Sequence, residues 1–114
     1  AYEKALALDP DLCDAYVNLG RLAHEAGDPA AAARRYHEAL ARDERDPVTH
    51  YNLALALEDL DKTPAALFHY RRAIALNPAF ADAHYNLSQL LHRLGERPEA
   101  MRHLMKYRRL VKGR

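Results

Sequence analysis

The chain has 114 residues, of which 49% are apolar and 29% are charged, and its formal net charge is +1. The apolar content is typical of a folded soluble protein, while the near-zero charge gives no general attraction to nucleic acid or membranes. The single cysteine, Cys13, excludes an internal disulfide, and no apolar run approaches the ~20 residues that a membrane span needs. We therefore expect a cytoplasmic protein that does not act on nucleic acid or in a membrane.

Seven helices are predicted from the composition and from the positions of proline. Alanine, leucine, arginine and glutamate dominate the chain, and all four favour helices. Pro29, Pro64 and Pro98 each fall at or just inside the start of a helix, where proline is tolerated. The predicted spans are, in chain order, a partial helix at 1–8 and helices at 12–26, 29–42, 47–60, 64–76, 80–94 and 98–111.

Residues suited to helix termini lie between several of these spans. Asp28 and Thr63 stand directly before two of the helix-starting prolines, so we predict that both act as N-caps. Gly27 and Gly95 follow the ends of first helices, where glycine favours the left-handed turn that stops a helix. The helices are therefore expected to form pairs joined by short turns.

The sequence repeats itself at an interval of 34 residues. Segments 13–20, 47–54 and 81–88 align, and each places an asparagine before a leucine and a small residue. The aligned residues are Asn18, Asn52 and Asn86, then Leu19, Leu53 and Leu87, then Gly20, Ala54 and Ser88. A fixed period of this length predicts stacked helical units. We assign three repeats, at 13–46, 47–80 and 81–114.

The first residues match the end of a repeat. Tyr2 and Ala5 fall where Tyr70 and Ala73 fall later in the chain. We therefore assign 1–12 to the second helix of a truncated repeat, and we expect its natural start to lie upstream. Such an incomplete unit would leave apolar surface open at that end of the stack.

These features resemble the tetratricopeptide repeat family over essentially the whole chain. The resemblance rests on the three Asn-Leu-small blocks, on Tyr36 and Tyr70, on Ala39 and Ala73 that follow them, and on the Asp-Pro and Asn-Pro joins. It implies an all-α fold in which tandem antiparallel helix–turn–helix repeats form one α-solenoid with a right-handed superhelix. It also implies a scaffold that binds other proteins rather than an enzyme.

The pattern also predicts which residues pack. Small residues in the first helices let the paired helix approach closely, and a stripe of leucine and alanine faces the core. In the first unit this predicted stripe comprises Leu19, Leu22, Ala23 and Ala26, with counterparts in the later units. The last unit has Tyr107 where the others have alanine, so we expect helix 98–111 to end the stack.

By the resemblance, the first helices line a concave groove that binds a protein or an extended peptide. The candidate ligand-binding residues are Val17, Asn18, Arg21, Tyr51, Asn52, Leu55, Tyr85, Asn86 and Gln89. An amide donates and accepts at once, so one asparagine per layer could pair with a peptide backbone. This layout is similar to the asparagine ladder of O-linked N-acetylglucosamine transferase. The alternative is that the asparagines only support neighbouring helices.

A second family pattern, the carboxylate clamp of chaperone-binding members, fits poorly. The matching positions hold Val17, Arg21, Asn52, Asp82 and Asn86, of which only Asn52 suits the clamp. Asp82 would repel a peptide carboxylate. The sequence therefore does not favour chaperone tails as ligands.

No catalytic residue, metal site or cofactor is predicted. His50 and His84 occupy positions where the family places a bulky packing residue, and the only serine, Ser88, occupies a small-residue packing position. Cys13 lies near a helix start, which can lower a thiol pKa, but no base is identifiable beside it. We therefore expect the histidines and Cys13 to be structural or tolerated residues.

The C-terminal segment is basic. It contains Arg102, Lys106, Arg108, Arg109, Lys112 and Arg114 and no acid after residue 99. Cations stabilise a helix C-terminus through the helix dipole, and this explanation is favoured over contact with nucleic acid or an anionic membrane.

Three functions remain open at this point. The first is a protein-interaction adaptor that uses the concave groove. The second is a homo-oligomeric scaffold that associates through open repeat ends. The third is a regulatory module of a larger bacterial protein, to which the truncated start and the alanine- and arginine-rich composition point.

Overall fold

A computed structural model describes the backbone from Pro10 to Gly113 and the side chains from Leu12 to Gly113. This part of the chain contains six helices and no strand. The helices are α1 (Pro10–Glu25), α2 (Pro29–Arg42), α3 (Pro47–Asp59), α4 (Thr63–Leu76), α5 (Ala81–Arg93) and α6 (Arg97–Lys112). The predicted partial helix at 1–8 lies outside the described residues.

The six helices form three tightly packed pairs. The pairs α1–α2, α3–α4 and α5–α6 have the most extensive contacts, and α2–α3 and α4–α5 join one pair to the next. The described chain measures 50 × 29 × 21 Å along its principal axes, as expected for an elongated stack. The predicted all-α repeat array is therefore confirmed. None of the helices in the described region is long and apolar enough to cross a membrane.

The helix starts follow the prolines, but only one predicted cap is present. The Asp28 carboxylate accepts a hydrogen bond from the Ala31 amide at 3.0 Å, as predicted for an N-cap. The prediction for Thr63 is wrong, because α4 begins with Thr63 itself. The Lys62 carbonyl already accepts the first helical bond, from the Ala66 amide, and the Lys62 side chain makes no capping bond.

The turn inside each pair uses one residue with left-handed backbone. Gly27 and Gly95 have φ values of 84° and 83°, so both predicted glycine stops are confirmed. Asp61 takes the equivalent place in the second pair with φ of 58°. Because a side chain beyond Cα is strained in this region, Asp61 destabilises a turn that glycine forms freely.

In each pair, the second helix carries a tyrosine or leucine at the position that faces a small residue of the first helix. Tyr36 and Tyr70 on the second helices are 1% and 0% exposed. A Cβ placed on Gly20 would lie 2.5 Å from a ring carbon of Tyr36, so the small side chain permits the close approach. Ala54 and Ser88 are buried at the equivalent positions.

The predicted stripe is mostly buried in the second and third units, although its last residue in the third unit, Leu94, is 46% exposed, and it is mostly exposed in the first unit, where Ala26 is exposed too. Leu53 and Leu87 are fully buried, whereas Leu19 is 44% exposed and Leu22 is 61% exposed. In the later units the second helix of the preceding pair covers this side of the first helix. The prediction that Leu19 and Leu22 belong to a buried stripe is therefore wrong.

The equivalent tyrosines of the second and third first helices pack against different aromatic rings. In the second unit, the Tyr51 ring lies 4.9 Å from the ring of Phe80, which begins the third unit. In the third unit, the equivalent Tyr85 ring lies 4.9 Å from Tyr107 of its own pair. The ring that packs against this tyrosine therefore comes from the next unit in the second unit and from the same pair in the third.

Replacing Asp61 with glycine should raise the free energy of unfolding by about 1 kcal/mol, because glycine adopts the left-handed turn without strain. Urea unfolding monitored by circular dichroism measures the change. The reverse substitution at the matching turn, Gly27→Asp, should destabilise the protein. If Asp61→Gly does not stabilise the protein and Gly27→Asp does not destabilise it, the strain argument is wrong.

Replacing Gly20 with valine should lower the free energy of unfolding by about 2 kcal/mol or more, because the new side chain collides with the buried Tyr36 ring. Gly113→Val is the control, since a Cβ there meets only one atom at 3.9 Å. Equal thermal midpoints for the two variants would show that the close approach is not required.

Candidate functional site

The first helices of successive units lie beside one another and form a continuous surface, here called the first-helix face. Helix α1 contacts α3 directly. His24 Nε2 and Asp59 Oδ2 lie 2.5 Å apart between α1 and α3, and Asn86 Nδ2 donates to the Tyr51 hydroxyl at 2.9 Å between α5 and α3. These contacts join the three layers.

An open cavity of about 510 Å³ lies toward the C-terminal ends of these helices. It is lined by His24, Leu55, Glu58, Asp59, Asp61, Thr63, Leu90, Arg93 and Leu94. Carboxylates from the second unit therefore face a histidine from the first and an arginine from the third. The cavity combines apolar walls with groups of both charges.

Glu58 is the centre of this cavity's polar network. Its carboxylate accepts hydrogen bonds from the Tyr70 hydroxyl and from the Arg93 guanidinium, and its side chain is only 18% exposed. Burial and the neighbouring Glu58 carboxylate raise the Tyr70 pKa far above its ordinary value. Tyr70 therefore stays protonated and keeps donating to Glu58 over the physiological pH range.

A smaller hollow of about 310 Å³ lies between the first and second units. It is lined by Arg21, His24, Glu25, Tyr36 and Asn52. Burial, as the largest cause, raises the pKa of Tyr36 above its ordinary value, so this phenol also stays neutral. A ligand there would meet both donors and acceptors beside an aromatic edge.

The three predicted ladder asparagines have different surroundings. Asn18 is exposed, while Asn52 is half-buried and lines the smaller hollow. Asn86 is half-buried, and its amide nitrogen donates both to Tyr51 and to the backbone carbonyl of Asp82, each at 2.9 Å. Both protons of that nitrogen are thus engaged within the chain, and only the Asn86 carbonyl oxygen is left to accept from a ligand.

The remaining predicted site residues fall into two groups. Val17, Leu55 and Tyr51 pack against the core with part of each side chain still accessible. Burial, followed by Asp82 and Glu58, raises the Tyr51 pKa, so its hydroxyl keeps a proton that it can donate.

The others are more exposed and do not all share one cavity. Arg21 lines the hollow beside Asn52, whereas Tyr85 is 41% exposed and packs on Tyr107. Gln89 lines a separate cavity of about 380 Å³ toward the far end, with Met101 and Leu104. The structure therefore brings Arg21 and Asn52 together and separates Gln89 from them.

The ion pairs between layers are the site features that sequence reasoning missed. His24 with Asp59, and Glu58 with Arg93, are each separated by 35 residues. This separation is one repeat plus one residue, so opposite charges at that spacing were the signal available in the sequence. Tyr70, which the sequence analysis used only as a mark of the family resemblance, also takes part in this network.

Reactive groups elsewhere in the described chain offer no alternative site. Residues 10–113 contain no group of three or more histidines, cysteines or carboxylates that could hold a metal. Burial, helped by the Asp43 carboxylate, raises the pKa of the Cys13 thiol, so this thiol is not activated as a nucleophile. The Ser88 hydroxyl donates to the Tyr85 carbonyl at 2.6 Å.

Family models match two parts of the sequence. A TPR repeat model matches residues 59–95, and a tetratricopeptide repeat model matches residues 1–34. No curated protein matches the sequence significantly.

Solved structures match almost the whole chain. Two crystal structures of MamA superpose with TM-scores of 0.86 and 0.85, at 30% and 29% identity, over 99% and 98% of this chain. The chain spans 66% and 61% of the length of those two proteins.

The first and second TPR domains of Spaghetti (RPAP3), both bound to the HSP90 peptide SRMEEVD, superpose with TM-scores of 0.88 and 0.86. Their identities are 21% and 19%; the first match covers 96% of this chain and 86% of that one, and the second covers 91% and 96%. At these identities the likeness shows the fold alone.

Replacing Glu58 with alanine should lower the free energy of unfolding by about 2 kcal/mol, because it leaves the buried Tyr70 hydroxyl without its acceptor. The adjacent Asp59→Ala removes a carboxylate that is 55% exposed, and should cost less than about 1 kcal/mol. Thermal unfolding of the two variants makes the comparison. Equal costs would mean that the bond from Tyr70 to Glu58 does not stabilise the fold.

Proposed function

Because this chain belongs to the tetratricopeptide repeat family, we propose that it is a non-catalytic interaction module that binds an extended segment of another protein along its first-helix face. The observation that carries this proposal is that the large open cavity and the smaller hollow both lie between successive first helices. Each of them exposes hydrogen-bond donors and acceptors beside apolar or aromatic side chains. The backbone of an extended segment carries a hydrogen-bond donor and an acceptor at nearly every residue. It can therefore bind such a surface without carrying a net charge of one sign.

The hydrogen-bonding groups beside Asn52 support a backbone-directed contact. Within the described residues, no hydrogen bond joins the Asn52 side chain to another side chain, so both its carbonyl and its amino group can face a ligand. Tyr51 accepts a bond from Asn86 and keeps its own proton to donate. A ligand backbone passing from Asn52 toward Asn86 would therefore meet a donor and acceptor, then a hydroxyl donor, then the Asn86 carbonyl.

The asparagine ladder takes an unequal form in this proposal. Asn52 acts as the main ligand contact, and Arg21 supplies a charge-assisted donor in the same hollow. Asn86 has a mixed role, since its amino group supports Tyr51 and only its oxygen remains for the ligand. Asn18, which is exposed on α1, is the ladder asparagine of the first unit.

The nature of the ligand follows from the charges around the two hollows. The fold is compatible with a bound peptide, since RPAP3 domains of this fold are bound to an HSP90 peptide. In this chain the exposed Asp82 would repel a peptide's terminal carboxylate. The Asn86 amino group already donates within the chain, so it is not available to bind that carboxylate. We infer an internal segment of mixed charge as the ligand.

Self-association is a second candidate, favoured by the apolar side chains at the two ends of the described stack. Leu19 and Leu22 are exposed on α1, and Met101 and Met105 are 52% and 54% exposed on α6. The proposed occupant of these faces is a second copy of the chain. Light scattering across a concentration series measures the mass in solution. If the wild type dimerises, Leu22→Lys should remain a monomer. A wild type that stays monomeric contradicts this candidate.

Replacing Asn52 with alanine should weaken ligand binding about three- to tenfold while the helical circular dichroism signal stays unchanged, because one amide pair is lost from an otherwise intact hollow. The probes are internal peptides selected from a random display library against the wild-type protein, and fluorescence anisotropy measures their affinity.

Arg21→Ala should weaken the same peptides, and Arg34→Ala on the exposed surface of α2 is its matched control. If Arg21→Ala and Arg34→Ala have equal effects, the ligand does not occupy the hollow. If Asn52→Ala unfolds the array instead, the asparagine is structural and the ladder proposal fails.

A further inference from the structure

The second helix of each unit carries a bulky side chain at one equivalent position. The position holds Tyr36 in the first unit, Tyr70 in the second and Leu104 in the third. The Tyr36 ring lies against Gly20, where a Cβ would come within 2.5 Å of a ring carbon. The Tyr70 side chain is fully buried. In the first two units a phenol ring therefore fills the space between the paired helices at this position.

The third unit has an open cavity at the same position, here called the third-unit cavity. It measures about 380 Å³, and two of its lining residues, Leu104 and His92, are the counterparts of Tyr70 and Glu58. Leucine has neither the ring length nor the hydroxyl of tyrosine, so the space that a ring fills in the second unit is left partly empty in the third. The cavity is also lined by Ser88, Gln89, Arg97 and Met101.

The inner wall of the third-unit cavity suits one aromatic side chain. Met101 is 52% exposed and Leu104 is half-buried, so both present apolar surface to the opening. Ser88 is buried, and its hydroxyl proton is already donated to the Tyr85 carbonyl at 2.6 Å. The volume lies near the lower end of the range of about 300–1,000 Å³ found for ligand pockets. Aromatic side chains that fill such pockets are enriched among the residues that dominate binding energy at interfaces.

One polar group at the rim matches the hydroxyl of a tyrosine. In the second unit, the Tyr70 hydroxyl donates to the Glu58 carboxylate. His92 occupies the position of Glu58 in the third unit, is exposed and lines the cavity. A neutral imidazole has one nitrogen that accepts a hydrogen bond, so His92 can accept from a hydroxyl that enters the cavity. Tyrosine therefore fits both the wall and the rim.

The charge at the rim favours an acidic residue in the ligand. Arg97 is exposed and lines the third-unit cavity, and no carboxylate is among the lining residues. The two cavities between units differ, because each includes at least one carboxylate. Glu96 and Glu99 flank Arg97 in the sequence but do not line the cavity. A guanidinium donates charge-assisted hydrogen bonds to a carboxylate, so Arg97 can pair with an acidic side chain beside the bound ring.

We propose that the third-unit cavity binds a tyrosine side chain of the partner segment, and that Arg97 pairs with an acidic residue next to that tyrosine. The ligand ring takes the place that the Tyr70 ring takes in the second unit, and its hydroxyl donates to His92. This inference rests on the proposed function, since the tyrosine belongs to the segment that runs along the first-helix face. Gln89, which lies apart from Arg21 and Asn52, then contacts the same ligand at its far end.

Leu104→Tyr tests the cavity, because it gives the third unit the side chain that the first two units carry and so fills the space. The probes are peptides selected from a random display library against the wild type, which should be enriched in tyrosine beside aspartate or glutamate. The variant should bind them at least about tenfold more weakly by fluorescence anisotropy. Met105→Tyr adds the same side chain to an exposed position of α6 outside the cavity, and should leave the affinity unchanged.

Arg97→Gln tests the acidic neighbour in a variant whose changed side chain is exposed. It should weaken binding of a selected peptide about two- to fivefold, and should leave unchanged the same peptide with asparagine or glutamine in place of the acid. Arg102→Gln, exposed on the same helix but outside the cavity, is the matched control. This comparison gives the decision if Leu104→Tyr fails to fold.

The outcomes separate this inference from the proposed function. If Asn52→Ala weakens the selected peptides but Leu104→Tyr and Arg97→Gln do not, the inference is overturned and the proposed function stands. If the wild type selects no peptide, both are contradicted. If the wild type is a dimer and Leu104→Tyr makes it a monomer, a second copy of the chain occupies the cavity and the inference is overturned.

Discussion

The close approach of two helices over a small side chain is the contact on which the rest of this structure depends. In the first unit, Tyr36 lies against Gly20 with no room for a Cβ, and in the second unit Tyr70 is fully buried near Ala54. The second helix therefore covers one side of its partner, and residues on another side of that partner stay accessible. That accessible side is the one from which each unit contributes to the first-helix face.

The same contact connects the core to the surface chemistry. Tyr70 fills the space between α3 and α4, and its hydroxyl also reaches Glu58 in the cavity between first helices. A charge network on the surface is therefore anchored by a core side chain. This coupling explains why Glu58 is largely shielded while the adjacent Asp59 stays exposed.

The repeats are alike in backbone but differ in the side chains that join them. The first unit carries Tyr16 and Arg35 where each later unit has two histidines within hydrogen-bond distance of each other. The third unit replaces the core tyrosine with Leu104 and covers Tyr85 with its own Tyr107. A nearly symmetric scaffold thus differs from unit to unit in the side chains that join its helices.

Local information in the sequence was sufficient for the helices and their repetition. Five of the six described helices begin with or just before a proline that rules out a helix interior, and Gly27 and Gly95 allow the left-handed turns between them. These are properties of one residue and its immediate neighbours, so spacing along the chain predicts them. The small residue at Gly20, Ala54 and Ser88 was predictable for the same reason, because it recurs at each period.

Side-chain contacts between helices were decided only by the tertiary structure. The pairing of His50 with His69, of Glu58 with Arg93, and of Asn86 with Tyr51 depends on how far each helix is turned about its own axis. A helical pattern gives the face of a residue to within a broad arc, whereas a hydrogen bond requires a fraction of an ångström. For that reason the sequence placed the asparagines on one surface, and only the folded chain showed that Asn86 is already engaged while Asn52 lines an open hollow.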